Sequence, residues 1–80
     1  MIKGDMPMFY RLNSEEVAML RTKYPEGASV VVYSMNDPRP VAPGTRGTVR
    51  VVDDMGTIHC DFENGRRLGL IPGVDEFARV

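Results

Sequence analysis

The chain holds one histidine and one cysteine, and they are neighbours, His59 and Cys60. A thiol and an imidazole can make a nucleophilic pair if they touch. Within one chain these two cannot. In Thr57-Ile58-His59-Cys60-Asp61-Phe62 the apolar residues fall at every second position, the period of a strand with one dry face. Cys60 therefore goes with Ile58 and Phe62 to the dry side, as a small buried hydrophobe, and His59 goes with Asp61 to the wet side. Asp53 and Asp54 could hold a cation, yet aspartate ahead of a turn glycine, here Gly56, is ordinary turn chemistry. Pro43-Gly44-Thr45-Arg46-Gly47-Thr48 lacks the spacing of a phosphate-binding loop and opens a strand rather than a helix. One cysteine and one histidine fall short of the four ligands of a usual zinc site. No catalytic residue, metal ligand or cofactor is expected, and the chain reads as a binding protein, not an enzyme.

The wet side of this strand carries the residues that can do chemistry. A four-residue turn over Asp53-Asp54-Met55-Gly56 pairs Val52 with Thr57, Arg50 with His59 and Thr48 with Asp61. A three-residue turn over Glu63-Asn64-Gly65, with Gly65 left-handed, sets Asp61 opposite Arg67 and Cys60 opposite Leu68. A two-residue turn would put Phe62 opposite Arg67 and mix the two faces. The polar face then gathers Arg50, His59, Asp61 and Arg67, with Thr48 and Thr57 nearby and Arg46 and Arg66 at its edges. Arg50 beside His59 is an awkward pair if both are charged, but such a pair suits an anion, because an arginine fork matches phosphate or carboxylate in two places at once. The plainer reading is a solvated sheet face with Asp61–Arg67 as a weak surface pair. A second candidate site is Tyr33 with Asn36 and Asp37, at the start of a long loop.

These residues need a sheet to hold them. Residues 43–71 read as three antiparallel strands joined by two tight turns. Thr48-Val49-Arg50-Val51 and Arg67-Leu68-Gly69-Leu70 alternate like the strand between them, placing Val49 and Val51 on the dry face. Residues 28–34 are rich in β-branched side chains and read as a first strand. The ten residues that follow hold three prolines and no period, a long loop for so small a domain. After Leu70 a tight turn through Pro72 and Gly73 lets residues 77–80 return as a closing strand. Ahead of the sheet, Asn13 followed by Glu16 has the pattern of a capping box and starts a helix over about 14–24, stopped by Pro25 and Gly27. Val17, Leu20 and Tyr24 share one helix face. Residues 1–12 read as an apolar arm, and residues 13–80 as one domain, mainly β, with about five strands and one short N-terminal helix.

Composition narrows the partners. Eighty residues bury a small core, and self-association is a common source of extra stability at this size. The net charge is −1 and evenly spread: residues 1–27 hold four basic and four acidic side chains, and residues 39–70 five and four. That lacks the basic stripe of a duplex-binding protein, and three Phe, three Tyr and no Trp provide poorly for base stacking. Nucleic acid is thus the weakest partner class. No apolar run reaches membrane-spanning length, and the lone cysteine fits a reducing compartment, so a cytoplasmic protein is expected.

Several stretches together resemble one small family. They are Ser34-Met35-Asn36-Asp37-Pro38, Pro43-Gly44-Thr45-Arg46-Gly47-Thr48-Val49, Val52-Asp53-Asp54-Met55-Gly56-Thr57-Ile58-His59, Asn64-Gly65 and Leu68-Gly69-Leu70-Ile71-Pro72-Gly73-Val74-Asp75. The family is a bacterial and phage domain of unknown function, common in mobile elements, and the resemblance covers about residues 20–80. It implies an SH3-like small barrel and a phage or mobile-element setting, but no activity. At Phe62-Glu63 the chain departs from a tryptophan–aspartate pair common in the family, and alternation assigns Phe62 to the core. Two functions follow as expectations. One is a possible homo-oligomer that sequesters a small anionic, nucleotide-like ligand against host defence. The other is a module that binds a host or phage protein along a strand edge or the proline-containing loop.

Overall fold

The structure, a computed structural model, describes residues 12–80. The N-terminal arm expected over residues 1–12 lies, apart from Leu12, outside them.

The helix α1 (Ser14–Lys23) begins where its cap demands. Asn13 Oδ1 accepts the Glu16 N–H at 2.8 Å, and Glu16 Oε1 accepts the Asn13 N–H at 3.0 Å. This reciprocal cap satisfies two amides that the helix itself leaves unbonded. Glu15 and Glu16 lie in the first turn and Arg21 and Lys23 in the last, each complementing the helix dipole. Tyr24 N–H closes the helix on Leu20 C=O, and Pro25 follows.

Five strands succeed it: β1 (Ser29–Ser34), β2 (Arg46–Val52), β3 (Ile58–Phe62), β4 (Arg67–Leu70) and β5 (Glu76–Arg79). All neighbours are antiparallel, in the order β4-β3-β2-β1-β5. The sheet is open, which corrects the SH3-like barrel implied by the resemblance. Closure would need a ladder between β4 and β5. The segment joining them folds on itself as a tight turn instead: Val74 and Asp75 N–H both go to Ile71 C=O, and Ile71 N–H goes to the Asp75 carboxylate. When the chain resumes as β5, its ladder is with β1.

The inner face of the sheet holds the core. Val30, Val32, Val49, Val52, Ile58, Cys60, Phe62 and Leu70 are buried there together with Val17 and Tyr24 of the helix layer. The helix is fastened on two sides. Leu12, just ahead of it, and Leu20, in its second half, pack on Gly56, where a Cβ would come within 2.5 Å of Leu12 and where φ is +88°. That turn accepts only glycine. Arg21 donates from Nε to Val52 C=O at 3.1 Å and from a terminal nitrogen to Asp54 at 2.9 Å. At its C-terminus the Tyr24 ring meets Phe77, and Arg79 donates to Lys23 C=O. α1 thus bridges from the β2–β3 turn to β5. Among the described residues no helix is long and apolar enough to cross a membrane.

The pairing of β3 with β4 follows the alternation: Cys60 lies opposite Leu68 and Asp61 opposite Arg67, across a turn with Gly65 at φ +89°. The pairing of β2 with β3 departs from it. Thr48 meets Asp61 as expected, but beyond Val49–Cys60 a bulge intervenes, and Val51, not Arg50, lies opposite His59. Val52 then pairs with Ile58, not Thr57. The extra residue turns Arg50 and Val51 both outward, leaving Val51 54% exposed and returning Val52 to the core at 2%.

Candidate functional site

On the outer face, β2, β3 and β4 surround a shallow concavity of about 370 Å³, lined by Arg50, Val51, His59, Arg67, Leu68 and Gly69 and by the strand at Cys60. Each polar side chain arrives there for a local reason. His59 and Asp61 are the outward positions of β3. Arg67 is the outward residue of β4 directly across from Asp61, and Arg50 is turned out by the bulge. Gly69 lies directly across from His59, so the imidazole has no neighbouring side chain on that flank. A Cβ at Gly69 would come within 2.5 Å of the Thr57 methyl and 3.8 Å of the His59 ring.

Carboxylates organise the cations. Asp61 lies between the two arginines, with Oδ2 accepting from an Arg50 terminal nitrogen at 3.1 Å and Oδ1 3.1 Å from Arg67 Nε. The second contact is Coulombic: Oδ1 is shielded from solvent yet has no aligned donor. His59 meets Asp53, Nε2 to Oδ2, at 2.8 Å, and its cross-strand neighbour is Val51 rather than Arg50. This corrects the expected Arg50–His59 pair, and the bulge is the cause. The other oxygen of Asp53 accepts the Met55 and Thr57 N–H groups, each at 2.9 Å. Partial burial alone would raise the Asp53 carboxyl. The bonds from His59, Thr57 and Met55, with the charge of a protonated His59, outweigh it and hold the group below its ordinary value.

The other side of β3 is chemically quiet. Burial, with the Asp61 charge adding to it, pushes the Cys60 thiol up to about 11. It faces the core, where Sγ lies 3.7 Å from Ile58 C=O.

Of the residues singled out from sequence, Arg50, His59 and Arg67 come together. The rest lie apart. Arg46 stands at the start of β2 and exchanges backbone bonds with Glu63: its N–H goes to the Glu63 carboxylate and its C=O takes the Glu63 N–H. Arg66 reaches the other way and donates to Arg39 C=O in the long loop. Tyr33 is exposed on β1. Asn36 gives its N–H to the buried Asp75 at 2.7 Å, and Asp37 accepts the Arg39 N–H. That loop is also pinned by Val41 in the core, so its residues serve its own fastening. Phe62 is buried with its ring against Gly47, so the departure at Phe62-Glu63 falls in the core and not on the concavity.

Two lining residues, and the carboxylate that holds His59, were not singled out from sequence as part of this site. Val51 was assigned inward. Asp53 was read as turn chemistry alone, although it and His59 flank one hairpin on the same face. Gly69 had a visible signal: pairing Cys60 with Leu68 puts His59 one step away, opposite a glycine.

An open five-stranded antiparallel sheet backed by one capped helix, with a concave Arg/His/Asp cluster on its outer face, defines a small mainly-β domain. Residues 13–80 match the family model of a domain of unknown function, DUF4314, and the chain belongs to that family. The match takes in α1 as well as the sheet. No curated protein and no solved structure matches the chain.

Proposed function

We propose that this domain acts by binding rather than by catalysis, and that its ligand presents an anionic group to Arg50, His59 and Arg67. The observation that carries this reading is the sharing of one carboxylate by two guanidinium groups. Asp61 meets only one nitrogen of each guanidinium, a terminal nitrogen of Arg50 and Nε of Arg67, and makes an aligned bond to Arg50 alone. A phosphate or carboxylate entering the concavity would take the donors that Asp61 does not use. The cluster is half-exposed, so ligand binding does not wait on a buried charge being uncovered.

The ligand reads as a compact anionic group. None of the described lining residues is Phe or Tyr, and His59 supplies the one flat ring, which supports a phosphate or carboxylate over a stacked base. Sequestration of such a ligand by an oligomer in a phage or mobile-element setting is the specific biological form of this proposal. Sedimentation with and without ligand tests the oligomer.

The binding test is a titration of the isotope-labelled chain with inorganic phosphate, glutarate and a panel of mononucleotides. Saturable shifts centred on Arg50, His59 and Arg67 are expected. Asp61→Asn should tighten binding several-fold by releasing both arginines, and Arg50→Ala with Arg67→Ala should abolish it. Equal, unsaturable shifts in wild type and both variants would refute the site.

A further inference from the structure

The strand that forms one wall of the concavity, β4, is also an edge of the sheet. Which of its backbone groups are free follows from the ladder. Phe62 N–H bonds to Arg66 C=O at 2.8 Å. In an antiparallel pair the bonded positions recur at every second residue, so Cys60–Leu68 and Ile58–Leu70 are the bonded pairs. Arg67 and Gly69 therefore turn their N–H and C=O groups away from β3, toward the open edge. The same two residues line the concavity on the outer face.

We infer that the anionic group is a glutamate or aspartate side chain on an extended segment of another protein, added as a sixth strand outside β4. This inference rests on the anion-binding reading of the Arg50–His59–Arg67 concavity. A strand laid along β4 would place one residue directly across from Gly69. Its side chain would lie on the outer face, about 5 Å from the glycine backbone and about two strand spacings, about 10 Å, from His59. Gly69 carries no side chain of its own, but the Thr57 methyl packs over it, so a carboxylate there is directed along the face toward Arg67, two residues away on the same strand. Main-chain bonds to Arg67 and Gly69 would hold the segment, and the guanidinium nitrogens that Asp61 does not meet would select an acidic residue at that one position. β4 has neither proline nor lysine, the residues that commonly guard an edge.

The test uses the whole chain and the peptide acetyl-Thr-Val-Glu-Val-Thr-amide, with counterparts carrying lysine for glutamate or N-methyl groups along one backbone edge. Amide hydrogen exchange is the readout, with phosphate titrated in parallel. The glutamate peptide should slow exchange of the Arg67 and Gly69 amides at least tenfold. The lysine and N-methyl peptides should not, and Arg67→Ala should weaken the glutamate peptide about tenfold. Phosphate binding at Arg50 and Arg67 without edge protection by any peptide would overturn the strand-addition inference and leave the anion site standing. No response to phosphate or peptide would overturn both. Protection without peptide, rising with protein concentration together with a doubled mass, would assign the edge to a second copy and overturn the inference.

Discussion

His59 and Asp53, on either side of the β2–β3 turn, meet at 2.8 Å between Nε2 and Oδ2. The contact joins the turn to the candidate site. The carboxylate that orients the imidazole also accepts the Met55 and Thr57 amides, so the turn cannot change shape without moving His59.

Replacing Asp53 should therefore act on both stability and the site. Asp53→Ala removes the acceptor of two backbone amides and one imidazole, and a loss of about 1–2 kcal/mol is expected from urea unfolding at pH 7. The sign of its pH dependence is set by the lowered folded-state value. The unfolded carboxyl titrates near its ordinary value of 3.8, the folded one below it. The contribution is present above the unfolded value and is lost as pH falls through the folded one. The gap between wild type and Asp53→Asn should thus narrow as pH drops from 5 to 3. A gap constant over that range would mean that the charge of Asp53 contributes nothing.

Asp75 is a buried carboxylate, 8% exposed, and joins two segments far apart in sequence by accepting the Asn36 and Ile71 amides. Asp75→Ala strands both donors and should cost about 2–3 kcal/mol. Hydrogen exchange should locate the damage at Asn36 and Ile71. Unchanged protection at both amides would count against this clasp.

Gly69→Ala places a methyl group against the Thr57 side chain and should destabilise by about 1–3 kcal/mol. Thr57→Ser, which removes the opposing methyl, should recover most of that loss in the double variant. Purely additive losses would show that the two positions do not meet.

Cys60 should resist modification. With the thiol buried and its pKa pushed up to about 11, little thiolate exists at pH 8. Labelling by a thiol reagent should follow unfolding, its rate rising with urea in step with the fraction unfolded. Rapid labelling of the native protein would contradict the assignment of Cys60 to the dry face.

Local interactions made much of this architecture legible from sequence. The Asn13–Glu16 cap, the αL glycines Gly56 and Gly65, the period-two run from Ile58 to Phe62 and the Asp61–Arg67 pairing are fixed within a few residues or across one tight turn, where sequence spacing is geometry. Tertiary structure decided the rest. The β2 bulge inserts one residue into a strand whose pattern reads as regular, and it changed Val51 from core to surface and the partner of His59 from Arg50 to Asp53. Whether the sheet closed was decided by where the chain runs after β4: the Ile71–Asp75 turn, held by Ile71 C=O and the Asp75 carboxylate, hands it to a ladder with β1 rather than with β4. Spacing cannot settle that choice, because its partners meet only after the chain has folded.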